Sequence, residues 1–277
     1  MSRIQDALQK TRSASKKMSA RDARLKRVRS PKTTPETGFE ALDFDKLPCV
    51  EIDEALLTEN KIVATQPDST ARAIYKILRT RVMHRMRASN WNVLGITGSG
   101  PGEGKTLTAI NLAYSLSHDL NNRVILVDLD LRRPSIHKVL GLEPKLDLDS
   151  KIYGSATLEQ TLLRPGGGRL AVLCNSIAYR DSSEILSSPA MVNLVDELRA
   201  LGPNTITIFD LPPVLAGDDV IAFSPLMDAI LLVVAEGIGR RENVLGMLEL
   251  LKDTEIIGTV LNRSRDKSSS MDYYGYY

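Results

Sequence analysis

Gly98-Ser99-Gly100-Pro101-Gly102-Glu103-Gly104-Lys105-Thr106 has the composition of a phosphate cradle. Glycines let the chain curl until successive N–H groups face one anion. A helix opening just behind such a loop adds its positive end. Lys105 can neutralise β- and γ-phosphate oxygens, and the Thr106 hydroxyl can ligate Mg²⁺. The general pattern asks for glycine five residues before Gly104, where Ser99 stands. A glycine turn before a helix, with no ligand, is the bland alternative. It leaves the run Gly104-Lys105-Thr106 unexplained.

Carboxylates supply the second signal. Val124–Asp128 is an apolar run ending in an acid, and Asp130 and Arg132 follow at alternate positions. Thr207–Asp210 ends the same way and is followed by Leu211-Pro212-Pro213. In a parallel sheet the carboxyl ends of the strands share one edge with the loop. Asp128, Asp130 and Asp210 are therefore expected to converge on the phosphates and the metal. Single acids in such places also serve as helix caps or turn residues. Mg²⁺ takes only one or two direct carboxylates, so some of the three must act through water. Arg132 and Arg133 suit a phosphate or plain solvation, and His137 is expected to pack under the following helix. No Ser/His/Asp or Cys/His spacing suggests a covalent hydrolase.

These residues need a frame. From Asp68-Ser69 a helical pattern begins, with either residue able to cap and Ile74, Ile77, Leu78 and Val82 as its stripe. It ends near Ser89-Asn90. Strands are expected at Asn92–Thr97, Arg123–Asp128, Leu170–Leu173, Thr205–Phe209, Ala229–Ala235 and Ile256–Leu261. Helices are expected at Lys105–Ser117, Pro189–Leu201 and Arg241–Leu251. Lys145–Ser150 and Gly166–Gly168 read as loops. Strands apolar on both faces, alternating with helices, give an α/β fold of P-loop NTPase type. Its mostly parallel sheet is covered by helices on both sides.

Charge divides the chain. Residues 1–33 carry eleven Lys/Arg against two Asp, residues 34–60 eight Asp/Glu against one Lys, and residues 61–277 balance at 24 of each sign. The expected organisation is a charged leader over 1–60, a folded domain over 61–263 and a polar tail over 264–277. Cys49 and Cys174 make neither a disulfide framework nor a metal spacing. The longest apolar run, Ala229–Ala235, is seven residues, too short to span a bilayer. No apolar stretch follows the basic start as a secretory signal would require. A reducing cytoplasm is the expected compartment.

Taken together, the Ser99–Thr106 loop, the Leu126–Pro134 block with its paired acids and the Phe209–Pro213 block resemble the bacterial tyrosine kinases of capsule and exopolysaccharide synthesis. Glu184–Ser187, Asp228–Val234 and Gly258–Arg263 are also similar to that family. The likeness runs from about Ser69 to the C-terminus. Four of the eight tyrosines, Tyr273, Tyr274, Tyr276 and Tyr277, fall within the last five residues. The resemblance implies that these are phosphoacceptors, modified between copies. It implies ATP and Mg²⁺ as cofactors, held by Gly100, Pro101, Gly102, Glu103, Gly104, Lys105, Thr106, Leu107 and Arg132. Asn262 and Arg263 would read the adenine. Thr106, Asp130 and Asp210 would position the ion, Lys105 would neutralise charge, and Asp128 would take the phenolic proton.

The implied partners are a membrane-embedded polysaccharide chain-length regulator that activates through its cytoplasmic tail, further copies of the chain, and a cognate tyrosine phosphatase. No specific nucleic acid is expected. The implied location is cytoplasmic, peripheral to the inner face of the plasma membrane through that partner, as in the split form of the family. A ring-assembly motif, Glu-x-x-Arg-x-x-Arg, reads Ala73, Lys76 and Arg79 here, and the missing glutamate argues against a family-type ring. A partitioning ATPase of the related deviant-Walker group is the first competing reading; the lysine that group carries early in the loop is Gly100 here. A nucleotide-binding module without transfer activity is the second, and the intact acids and Lys105 argue against it.

Overall fold

The computed structural model describes residues 42–66 and 69–264. The tail tyrosines and most of the basic leader lie outside them. Eight strands form one sheet in the order β1-β4-β5-β3-β6-β2-β7-β8. They are β1 (Cys49–Val50), β2 (Val93–Gly98), β3 (Arg123–Asp128), β4 (Leu162–Pro165), β5 (Leu170–Leu173), β6 (Thr205–Asp210), β7 (Ala229–Ala235) and β8 (Ile256–Asn262). Every neighbouring pair is parallel except β4 with β5.

The strand sequences explain the two-sided burial. Side chains alternate across a strand, so Leu94, Ile96, Leu126 and Ile208 join one core while Val93, Ile125, Val127 and Phe209 join the other. The first core is covered by α2 (Thr70–Ser89) and α3 (Lys105–Ser117), through residues such as Met86, Ile110 and Leu116. The second is covered by α8 (Pro189–Ala200) and the short α9 (Asp219–Phe223), through Leu194, Leu198 and Phe223. Phe209 and Phe223 meet edge to face at 4.9 Å between centroids.

The remaining helices are short: α1 (Glu54–Glu59), α4 (Ile136–Leu140), α5 (Leu148–Ile152), α6 (Leu158–Thr161) and α7 (Ser182–Leu186); α10 (Arg241–Leu250) precedes β8.

Three expectations need correction. The folded unit begins well before residue 61. Phe44, Leu47, Leu57, Ile62 and Ala64 are buried, and β1 pairs with β4. Of its described acids, Asp45, Glu51, Asp53, Glu54 and Glu59 are exposed, and Asp43 and Asp53 cap helical turns. Second, Lys145–Ser150 is not all loop. Asp147 accepts from Ser150 N and starts α5 with a capping box. Third, the buried face of α2 is Val82, Met83 and Met86, with Leu78 at its margin, while Ile74 is 54% exposed. Only the second half of that helix packs into the core. Its ends fall as read: Ser69 caps by accepting from Arg72 N at 3.0 Å, and Asn90 closes it in the left-handed conformation.

Candidate active site

Strand β2 lies between β6 and β7, and the glycine-rich loop leaves its carboxyl end. The loop is braced from within. Glu103 is buried, and its carboxylate accepts from the Ser99 hydroxyl at 2.7 Å and from Gly100 N at 2.9 Å. Ser99 therefore does work that glycine cannot, which accounts for the departure from the general pattern. Glu103, expected beside the nucleotide, spends its side chain on loop shape. Leu107 likewise packs its side chain on the core, leaving only its backbone for a ligand.

Gly104 has φ +90°, and a Cβ there would fall 2.1 Å from Asn262 Nδ2. No larger residue fits at that point. Asn262 uses this approach to donate to the Glu103 carbonyl at 2.9 Å, so the amide expected at the adenine ties β8 to the loop. Its Oδ1 accepts from Arg263 N at 2.9 Å, and Arg263 is exposed with φ +56°. Cβ atoms added at Gly100 or Gly102 would meet open space, so the loop's outer side is free to receive a ligand. Pro101 is exposed at the loop tip.

The three acids lie at or just beyond the carboxyl ends of β3 and β6. Asp128 and Asp210 are register partners across β3 and β6. Asp128 is fully buried; its Oδ2 accepts from Ser135 N and Ile136 N, both at 2.9 Å, and its Oδ1 from Asp130 N at 3.3 Å. Asp130 Oδ1 accepts from Arg133 N at 3.0 Å. Asp210 is also fully buried, and neither of its oxygens has a hydrogen-bond partner among the described residues.

Burial governs the charges. It pushes Asp128 up to about 7, against the pull of the Ile136 and Ser135 amides and with a further push from Asp130. It pushes Asp210 well above the usual carboxylate range, with Asp128 adding to the rise. The Thr106 side chain and Lys105 oppose that rise, Thr106 without a hydrogen bond of ordinary geometry. Asp130 is raised too, chiefly by burial. Burial pulls Lys105 down, while Asp210, Glu103 and Asp130 hold it up. Lys105 Nζ donates to the Gly100 carbonyl at 2.8 Å, folded back over the loop.

A buried carboxylate with two empty oxygens, beside a threonine and a lysine, fits a divalent cation bound with phosphates. The chemistry of the donor set agrees: hard oxygens from Thr106, Asp130 and Asp210 suit Mg²⁺. Among the described residues no three His, Cys, Asp or Glu side chains form a cage that would hold a metal alone.

Other parts of the site escaped the sequence reading. Thr97 Oγ1 donates to the Pro212 carbonyl at 2.6 Å, joining the P-loop strand to the segment after Asp210. Asn111 on α3 accepts from Ala64 N and donates to the Lys61 carbonyl, strapping the amino-terminal segment to the P-loop helix. Arg132 is held outside the loop, by Ser182, Ala216 and Asp219. The paired acids Asp218-Asp219 after Gly217 were the available signal for that last contact. Arg79 of the altered ring motif is used inside the chain, donating to the Ser115 carbonyl at 2.9 Å.

Comparison with known proteins places this arrangement. Residues 94–274 match the family model of the CobQ/CobB/MinD/ParA nucleotide binding domain. Over 222 residues the chain is 30% identical to the tyrosine-protein kinase YwqD of Bacillus subtilis (strain 168), covering 79% of this chain and 92% of that one. The chain belongs to the bacterial tyrosine kinase family. It is also 29% identical over 211 residues to the succinoglycan biosynthesis transport protein ExoP of Rhizobium meliloti (strain 1021). That match covers 74% of this chain but 26% of ExoP, so the kinase chain spans about a quarter of this longer relative. Among solved structures, the chimerical protein CapA2B2 superposes with a TM-score of 0.68 at 27% identity, covering 79% of this chain and 96% of its own. As in the rest of the family, this nucleotide-binding domain is a protein-tyrosine kinase domain.

Proposed function

We propose that this kinase transfers the γ-phosphoryl group of Mg²⁺·ATP to its own C-terminal cluster, Tyr273, Tyr274, Tyr276 and Tyr277, on a neighbouring copy, and that this regulates exopolysaccharide or capsule assembly. The observation that carries the chemistry is Asp210, buried beside Lys105, in register with Asp128, and with neither oxygen hydrogen-bonded among the described residues.

When bound, Mg²⁺ offsets charge on the β- and γ-phosphates. The chain's own part is positioning and charge. Loop amides and the start of α3 hold the phosphates, and Lys105 leaves the Gly100 carbonyl to pair with them. Thr106, Asp130 and Asp210 hold the cation. Asp128, with a pKa near 7, accepts the acceptor's phenolic proton as the new bond forms. Free tyrosine has a pKa of about 10, so that proton must leave during transfer.

The polysaccharide role is supported by the similarity to ExoP, a succinoglycan biosynthesis transport protein. A membrane-embedded chain-length regulator is the proposed activator, and it would hold the kinase at the inner face of the plasma membrane. No helix among the described residues is long and apolar enough to cross a membrane by itself. A tyrosine phosphatase would reset the cluster.

Two chains test the acceptor and its geometry: full-length Lys105→Met, and an active chain ending at Met271. Mixed with ATP, they should give anti-phosphotyrosine signal on the Lys105→Met chain alone. Signal on the shortened chain would move the acceptor elsewhere. No signal on the mixture, with an intact chain labelling itself, would make the transfer intramolecular.

A further inference from the structure

Arg132 follows the paired acids of β3 and is 38% exposed in its side chain, yet it is held at three points. Its Nε donates to Ser182 Oγ at 2.9 Å, Nη1 to the Ala216 carbonyl at 3.3 Å, and Nη2 pairs with Asp219 Oδ2 at 2.9 Å. These partners come from α7, from the segment after Asp210 and from the first turn of α9. Asp219 is the charged one, with a side chain 2% exposed. Arg132 lies two residues beyond Asp130, and Asp219 nine beyond Asp210, so both members of the pair follow the acid-bearing ends of β3 and β6. A planar guanidinium presents five N–H donors in a fixed fork. The three contacts direct the fork and leave further N–H groups for a ligand.

The backbone beneath the pair is fitted to it. A Cβ on Gly217 would lie 2.7 Å from Arg132 Nη2 and 2.8 Å from Asp219 Oδ2. Gly217 has φ 173°, extended backbone that any residue adopts, so the obstacle to a side chain is the ion pair itself.

We propose that Asp219 is a positioning residue of the kinase: it aims the Arg132 guanidinium at the acceptor side of the phosphate cradle, where the incoming tyrosine and the transferred phosphoryl group carry negative charge. Asp219 acts through Arg132 and touches neither substrate. Gly217 is small because the pair needs the space. The claim rests on the proposed placement of the reacting groups, but not on which tyrosine accepts them.

The test uses the full chain with a random Glu-Tyr copolymer as acceptor, so failure of the C-terminal tyrosines as acceptors leaves it readable. Asp219→Asn and Gly217→Ala should each lower kcat at least tenfold and raise KM for the copolymer, while the Kd for ATP stays within twofold. Arg132→Ala should lose as much, and adding Asp219→Asn to it should cost less than a further twofold. Asp219→Glu should recover part of the rate. Losses that multiply in the double variant would overturn the proposal. So would an unchanged kcat in Asp219→Asn, or a parallel loss of ATP affinity, which marks a merely structural ion pair. Gly217→Ala keeps every charge and serves as the probe if Asp219→Asn fails to fold.

Discussion

Two aspartates at opposite ends of the same sheet show what separates a structural acid from a functional one. Asp228 precedes β7 and is nearly buried, and its oxygens are filled. Arg199 Nη1 donates to Oδ1 at 2.7 Å, and Asn92 N and Val93 N both donate to Oδ2 at 2.9 Å. Asp210 ends β6 at the other edge and has neither oxygen hydrogen-bonded among the described residues. A buried carboxylate without partners is destabilising. At Asp210 a bound cation would restore the balance. The amino-terminal edge of this sheet is finished by the chain itself, whereas its carboxyl edge is finished by the substrate.

Breaking that contrast gives opposite outcomes. Asp210→Asn should lower tyrosine phosphorylation by at least about 100-fold, since it removes charge from the reacting centre. The same change should raise the melting temperature of the nucleotide-free protein at pH 8, because it removes a buried charge cluster. Asp228→Ala should do the reverse. It leaves the Arg199 guanidinium with only the Leu226 carbonyl and strands two backbone donors, at a cost of about 2–4 kcal/mol and a fall in Tm of roughly 5–15 °C. Its kcat per folded molecule should not change. Differential scanning fluorimetry beside a copolymer kinase assay reads both, and a destabilised Asp210→Asn would break the comparison.

A smaller effect sharpens it in pH. Asp128 titrates near 7 in the folded chain, above an unfolded carboxylate near 4. The folded state therefore holds a proton that the unfolded state has lost between those values. The stability this group contributes is complete below pH 4 and is lost as pH rises towards 7. Relative to wild type, nucleotide-free Asp128→Asn should gain stability from pH 5 to 7 and level off above. Urea unfolding at half-unit intervals measures this; a difference flat across that window would assign Asp128 an ordinary pKa.

The mildest change is Asn262→Ala, which frees the Glu103 carbonyl and opens space over Gly104. We expect about tenfold weaker binding of ATP and of GTP alike, because the side chain shapes the loop. A loss confined to ATP would return Asn262 to reading the base.

Much of the fold was legible because its signals are local. Strands β2, β3, β6, β7 and β8 are short segments rich in Val, Ile and Leu, and α3 starts at Lys105 as the loop demands. What escaped depends on contacts distant in sequence. Strands β1 and β4 are short, and β4 contains Arg164 and Pro165, so neither carries a strand pattern alone. Segment 42–60 looked like a charged tail because its acids outnumber its buried residues, though Phe44, Leu47 and Leu57 suffice to anchor it. In the site, the convergence of Asp128 with Asp210 follows from strand direction. The bracing by Glu103 and Asn262 does not, because those residue types have no fixed partner. The sequence leaves Arg132 open to a phosphate or to plain solvation; its tie to Asp219 joins positions 87 residues apart and leaves only Asp218-Asp219 as a trace.

The most direct measurement is the Mg²⁺ dependence of binding a non-hydrolysable ATP analogue, by calorimetry at pH 8, for wild type and Asp210→Asn. Convergence of the acids on one ion predicts that Mg²⁺ tightens binding at least tenfold in the wild type and hardly at all in the variant, with Mg²⁺-free binding preserved. Equal enhancement by Mg²⁺ in both proteins would contradict it.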